Sequence, residues 1–160
     1  MNNEKEKSKE KPMPWLAFQF MRLIMNIRKP FRNIEEEMNL SEIKKGFYIL
    51  DFGCGLGFNT IPAAKAVGKE GRVFALDLNE QAIKIVEKKI SKNSLDNVKI
   101  IKSSCDTGLE DKSIDLVYLH NTLPMIKEKQ KVLKEITRVI KTGGKLSYTS
   151  RLGSSALSIL

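Results

Sequence analysis

Histidine occurs once in the 160 residues, at His120, and cysteine twice, at Cys54 and Cys105. The cysteines form no C-x-x-C pair, and with a single imidazole no ligand set has metal spacing, which argues against a zinc site. Cys54 reads as a small space-filler in a reducing cytosol. No apolar window reaches the ~20 residues that span a bilayer. The N-terminus lacks a signal-peptide cleavage pattern. Arginine is scarce too: Arg22, Arg28, Arg32, Arg72, Arg138 and Arg151 are the whole complement, so the net charge of +9 is carried mainly by lysine. Those lysines recur on the outer faces of expected helices, at Lys84, Lys88, Lys92, then Lys127, Lys131, Lys134 and Lys141, as on a solvated surface. They also give some attraction for an anionic surface or substrate. A nucleic-acid reading rests on this charge alone. Apolar content of 41% and charged content of 29% fit one globular domain with a real core.

The informative stretch is Tyr48–Thr60, YILDFGCGLGFNT. It opens as a buried strand, breaks at Gly53, Gly55 and Gly57, and continues into a helical pattern of small residues. Alternating glycines permit a sharp turn and close approach of a ligand to the backbone. A turn at a helix N-terminus presents free N–H groups and the positive end of the dipole. The dinucleotide fingerprint G-x-G-x-x-G would need glycine where Phe58 stands. The pattern Asp51-x-Gly53-Cys54-Gly55-x-Gly57 instead resembles motif I of the class I S-adenosylmethionine (SAM) methyltransferases. The resemblance implies that this turn, with Cys54 and Asn59 inside it, lies against the methionine part of the cofactor. It also implies that Asp51 fixes the turn and the cofactor's amino group.

A second strand, 72–77, ends on Asp77, twenty residues beyond Gly57. An acid there can take both ribose hydroxyls of an adenosine. It resembles the family's acidic motif II, which implies ribose binding by Asp77 and packing of Leu78 on the adenine. Asn79 reads as the cap of the next helix, about 80–92. After a strand at 98–101, the loop 103–111 is too short for a full helix. The resemblance makes Asp106 the partner of the adenine amino group, with Cys105 or Thr107 adding backbone contacts. Strand 113–119 leads to His120, at the switch point where open α/β sheets bind ligands. With an ordinary pKa near neutrality, His120 reads either as a general base or as a residue that shapes the pocket or touches cofactor. No N-P-P-Y-like or D-P-P-Y-like motif follows, and no Pro-Cys nucleophile, so the marked nucleic-acid methyltransferases are not matched. A helix at about 126–140 and Lys141-Thr-Gly143-Gly144 precede a fifth strand, 145–149. This resembles the family's L-K-P-G-G.

Residues 1–13 read as a disordered charged tail. Residues 14–45 form an N-terminal helical cap. Its first helix, 14–28, has one polar stripe, Gln19, Arg22 and Asn26, and is otherwise apolar, so it must bury two flanks. It would lie over the core as a lid, pair with a second subunit, or rest on a membrane surface. A short helix from Asn33 to about Met38 follows. Residues 151–160 form a tail that cannot supply the family's last two strands, which leaves strand five as an exposed edge unless the tail, the N-terminal helix or a second subunit covers it.

The expectation is a doubly wound α/β domain over 46–150, Rossmann-like and mostly parallel, of strand order 3-2-1-4-5. It would bind SAM, transfer the methyl to a small-molecule acceptor with no DNA partner, and release S-adenosylhomocysteine. Its place is the cytoplasm, with homodimer or peripheral membrane contact through 14–28 left open. A non-catalytic SAM-binding scaffold, truncated and acting through its N-terminal helix, is the alternative. RNA methylation is a third.

Overall fold

The computed structural model describes residues 11–28, 41–150 and 153–158. Six strands form one sheet: β1 (Tyr48–Phe52), β2 (Arg72–Asp77), β3 (Val98–Lys102), β4 (Ile114–His120), β5 (Ile140–Ser150) and β6 (Gly153–Ser158). Their order is β3-β2-β1-β4-β5-β6. The first five run parallel, and β6 is antiparallel to β5. The helices are α1 (Trp15–Arg28), α2 (Thr60–Val67), α3 (Glu80–Lys92) and α4 (Lys129–Val139).

Parallel strands covered on both faces read as near-continuous apolar runs, and the two central ones, YILDF and IDLVYLH, do so. Alternation then sorts their side chains between two cores. Ile49, Val73, Leu116 and Tyr118 meet Ala63, Ala64 and Val67 of α2. On the same side Ala75 meets Val86 of α3. The opposite face sends Leu50, Phe52, Leu76, Val117 and Leu119 against Val132, Ile136 and Val139 of α4. Those three recur at i, i+4 and i+7, one helical stripe. Where a further helix would cover β1 and β2 on this face, Cys105 and Leu109 of the 103–112 loop pack instead.

The expected order 3-2-1-4-5 is present, and its boundaries are sharpened. α2 starts at Thr60 rather than Phe58, because Gly57 has φ +71°, outside the helical region. α4 starts at Lys129, after a 3₁₀ turn at Leu123–Met125 whose last carbonyl bond ends on Ile126. β5 begins at Ile140, five residues early. Ile140 pairs with Ile114, and the ladder shifts register before Lys145 meets Leu116. Gly143, at φ +76°, lies in that irregularity, so Lys141–Gly144 is a bulge within the strand.

β5 is not left as an open edge. Of the covers open to it, the C-terminal tail is the one present: residues 153–158 pair with Lys145–Ser150 over the whole length of β6. An unpaired edge offers a row of free N–H and C=O groups, and this short uncharged segment supplies their partners. Residues 1–10 of the tail expected at 1–13, and the helix near 33–38, fall outside the described residues, while Met13 packs beside α1 and its carbonyl accepts from Asn79.

Candidate active site

β1 ends at Phe52, and the chain then passes through Gly53, Gly55 and Gly57 at φ +77°, +50° and +71°. A side chain there is strained, which explains three glycines at alternate positions. The three differ in what surrounds them. A Cβ on Gly53 would lie 2.3 Å from Cγ2 of Thr122, and one on Gly57 would lie 3.1 Å from Val86. A Cβ on Gly55 would meet nothing nearer than 3.9 Å. Protein fills the space at the first and third positions, while the space before the second stays open to a ligand. The turn is tied to β2 by Leu76, whose carbonyl accepts from both Gly53 N and Cys54 N, at 2.8 and 2.9 Å. Lys89 of α3 donates to the Leu56 carbonyl and sits 4.6 Å from the Phe58 ring centroid. Asp51 is buried and accepts from the Thr60 hydroxyl at 2.6 Å, locking strand to helix across the turn.

Asp77 stands beside this turn, at the carboxyl end of β2. Its Oδ2 accepts from Gly55 N at 2.9 Å and its Oδ1 from Asn79 N at 2.8 Å. The carboxylate also faces the N–H of Leu78, and the acceptor capacity that these three N–H groups leave over is directed to a ligand hydroxyl. Burial pushes the Asp77 carboxyl above its ordinary value, against the opposing effect of N–H bonds from Asn79, Gly55 and Leu78. Leu78 is half-buried. Asn79 caps α3 through a bond from Gln81 N, and its amide donates to the Met13 carbonyl at 3.3 Å. Gln19 of α1 donates to Gln81 at 3.0 Å. The N-terminal segment therefore lies over the Asp77 end of the sheet. Cys54, inside the turn, is a buried free thiol. Its pKa lies well above the usual range because of burial, then the Asp51 and Asp77 carboxylates.

His120 ends β4 next to the same turn. Asn59 Nδ2 lies 3.1 Å from its Nδ1, and Ser147 Oγ of β5 lies 2.9 Å from its Nε2. With the Asn59 amide donating, Nδ1 accepts, so Nε2 carries the hydrogen toward Ser147. Ser147 also receives a longer bond, 3.4 Å, from the buried Ser41 hydroxyl. Tyr118 packs edge-on to the imidazole at 4.9 Å. The single histidine is thus held at both nitrogens, bridging the glycine turn to β5. Thr122, which fills the space before Gly53, donates to the His120 carbonyl at 3.0 Å.

The loop after β3 is arranged differently. Asp106 is exposed and accepts from Gly108 N within its own turn. Thr107 is buried, and both its N–H and its hydroxyl go to Glu135 of α4. The N–H proposed to meet adenine is therefore already engaged. Arg138 completes the latch, donating to Glu135, to Asp111 and to the Leu109 carbonyl. The Arg138 guanidinium, with Thr107, holds the Glu135 carboxyl down at about 2. Sequence reasoning missed Thr122, Ser147, Lys89 and Glu135. One signal was available: Ser147 and Thr149 are polar residues in a buried strand. A cavity of about 200 Å³ beside Phe47, Asp115 and Lys141 lies at the amino ends of β1 and β4. Ligands of open α/β sheets bind at the carboxyl ends, and its carboxylates are already paired, Asp115 with Lys141 and Glu42 with Lys145, so it is not the candidate site.

This arrangement has relatives. A family model described as a methyltransferase domain matches residues 43–153. The chain belongs to that methyltransferase family. The resemblance drawn from the glycine turn is thereby borne out. A demethylmenaquinone methyltransferase of Geobacillus stearothermophilus is 34% identical over 125 residues, 78% of this chain and 53% of that protein. Its Bacillus mycoides counterpart is 34% identical over 113 residues, 70% of this chain and 48% of that one. The methyltransferase chain thus spans about half the length of the curated relatives it matches. Among solved structures, a SAM-dependent methyltransferase from Aquifex aeolicus superposes with a TM-score of 0.74 at 29% identity, covering 81% of this chain and 70% of that one.

Proposed function

We propose that this chain binds SAM at the glycine turn and transfers its methyl group to a small apolar acceptor of quinone type. One observation carries the reading: the Asp77 carboxylate grips the N–H of Gly55, the glycine with open space before it. A group contacting both at once would meet an acceptor for vicinal hydroxyls and an unobstructed backbone, as the ribose and the amino-acid end of SAM require. When bound, SAM supplies an activated sulfonium methyl whose transfer leaves S-adenosylhomocysteine. The residues then have to align and exclude water rather than generate a nucleophile. Asp77 takes the ribose, with Leu78 beside the adenine. Gly53, Cys54, Gly55 and Gly57 lie along the methionine part. Asp51 keeps the turn in shape through Thr60. Asp106 accepts from the adenine amino group with the carboxylate oxygen that its own turn leaves over, and Thr107 anchors that loop to Glu135. His120 serves as a strut, since Asn59 and Ser147 occupy both its nitrogens. It fixes Asn59 at the turn.

The acceptor class is supported by the curated relatives, named for demethylmenaquinone. α1 leaves six large apolar residues exposed, among them Leu16 and Phe20. That face fits a second subunit or a membrane surface better than it fits water. Incubating the purified chain with methyl-labelled SAM and a demethylmenaquinone, followed by chromatography of the extracted quinone, tests the reading. Label in the quinone, lost in Asp77→Ala, is expected. A chain that binds SAM yet labels no quinone would remove the acceptor assignment and leave the cofactor site standing.

A further inference from the structure

We infer that the outward face of α1 docks on an anionic lipid bilayer. The helix carries two apolar faces. Phe18, with 1% of its surface exposed, and the partly buried Met21 and Met25 point inward at i, i+3 and i+7. They pack on Leu56 and Phe58 of the glycine turn and on Ala82 and Ile85 of α3. Leu16, Phe20, Leu23, Ile24 and Ile27 recur at i, i+4, i+7, i+8 and i+11, a continuous stripe on the other side. Leu16 is 74% exposed, Phe20 66% and Ile27 61%, with Trp15 at 61% one residue before the stripe. A contiguous apolar patch of this kind marks a contact surface rather than ordinary solvent exposure.

Charge selects the occupant. The described N-terminal segment, residues 11–28, contains Lys11, Arg22 and Arg28 and no Asp or Glu. A two-fold pairing of α1 with a second copy would set the same cations against each other, and like charges across an interface are costly. A leaflet of anionic lipid complements the stripe and the cations together, with each basic residue near the surface adding about 1 kcal/mol. The chain as a whole, at +9, is drawn the same way. No described helix is long and apolar enough to cross a membrane, so the helix would lie in the interface plane with its apolar face down. Its other face rests on the glycine turn. A bilayer-dissolved acceptor would then be presented next to the cofactor. This deepens the reading of an apolar acceptor, and its test needs neither cofactor nor quinone, so the two fail separately.

The full chain is floated with vesicles of phosphatidylcholine alone and of phosphatidylcholine with phosphatidylglycerol. Flotation with the anionic vesicles, weakened by salt, is expected, with partitioning reduced at least about tenfold in Leu23→Glu/Ile27→Glu. Both side chains are exposed, so the variant's thermal unfolding should match the parent's. If it does not, Leu16→Ser/Phe20→Ser repeats the test with smaller perturbation. Flotation with neither vesicle overturns the inference. So does sedimentation showing a dimer that these substitutions disperse while vesicle binding is unchanged.

Discussion

The glycine turn and helix α1 touch each other, yet they relate to the chain in opposite ways. In the turn, each residue has a reason inside the protein. Three glycines take positive φ, Thr122 and Val86 fill the space before two of them, and Leu56 and Phe58 are enclosed. In α1, Phe18 is enclosed while Leu16, Phe20 and Ile27 stay in solvent. Local geometry dictates residue type in the first region, so the pattern can be read without knowing the fold. In the second, composition says only that the side chains leave water, and not what they meet.

The sharpest way to break this comparison is Gly53→Ala. The new methyl meets Thr122 at 2.3 Å in a backbone of φ +77°, so a loss of about 3 kcal/mol is expected in urea unfolding. Adding Thr122→Ala removes the two nearer atoms but keeps a Cβ at 2.9 Å, so it should recover only part of the loss and leave at least about 1–2 kcal/mol for the left-handed backbone. A full recovery would mean that conformation alone costs nothing there.

A smaller effect is expected at the loop latch. Glu135 is held at about 2 rather than 4.5 by Arg138 and Thr107. A depressed carboxyl binds fewer protons folded than unfolded, so its stabilisation is present above pH 4.5 and is lost as pH falls toward about 2. Glu135→Gln should therefore cost about 1 kcal/mol at neutral pH, with the gap to the parent closing across that window in acid unfolding curves. An unchanged gap would remove the ion pair from the account. Smallest of all, Leu23→Ser on the exposed face of α1 should change stability by less than about 0.5 kcal/mol. A larger loss in thermal unfolding would show that this face is covered after all.

Much of the fold was legible in the residues. The glycine turn, Asp77 after β2 and the Asn79 cap all lie where spacing places them, because each answers a local backbone need. The expected helix starts failed by a few residues where a turn intervenes, as at Gly57 and Ile126. What stayed hidden was contact between distant segments. Nothing in the spacing of Asn59, His120 and Ser147 announces that one imidazole joins them. Glu135 of α4 meets Thr107 of the loop after β3 across 28 residues of chain. β6 was hidden for another reason: its serines carry weak strand preference, and pairing with β5 supplies what propensity does not.

The central claim is that the glycine turn and Asp77 hold SAM. Calorimetric titration of the full chain with SAM, S-adenosylhomocysteine and NADH addresses it most directly, repeated on Asp77→Ala. Losing charge-assisted hydrogen bonds worth about 1.5–3 kcal/mol should weaken SAM by roughly tenfold or more, with both sulfur ligands binding the parent and NADH silent. A folded chain that ignores SAM, or an Asp77→Ala variant that binds it as tightly as the parent, would contradict the account.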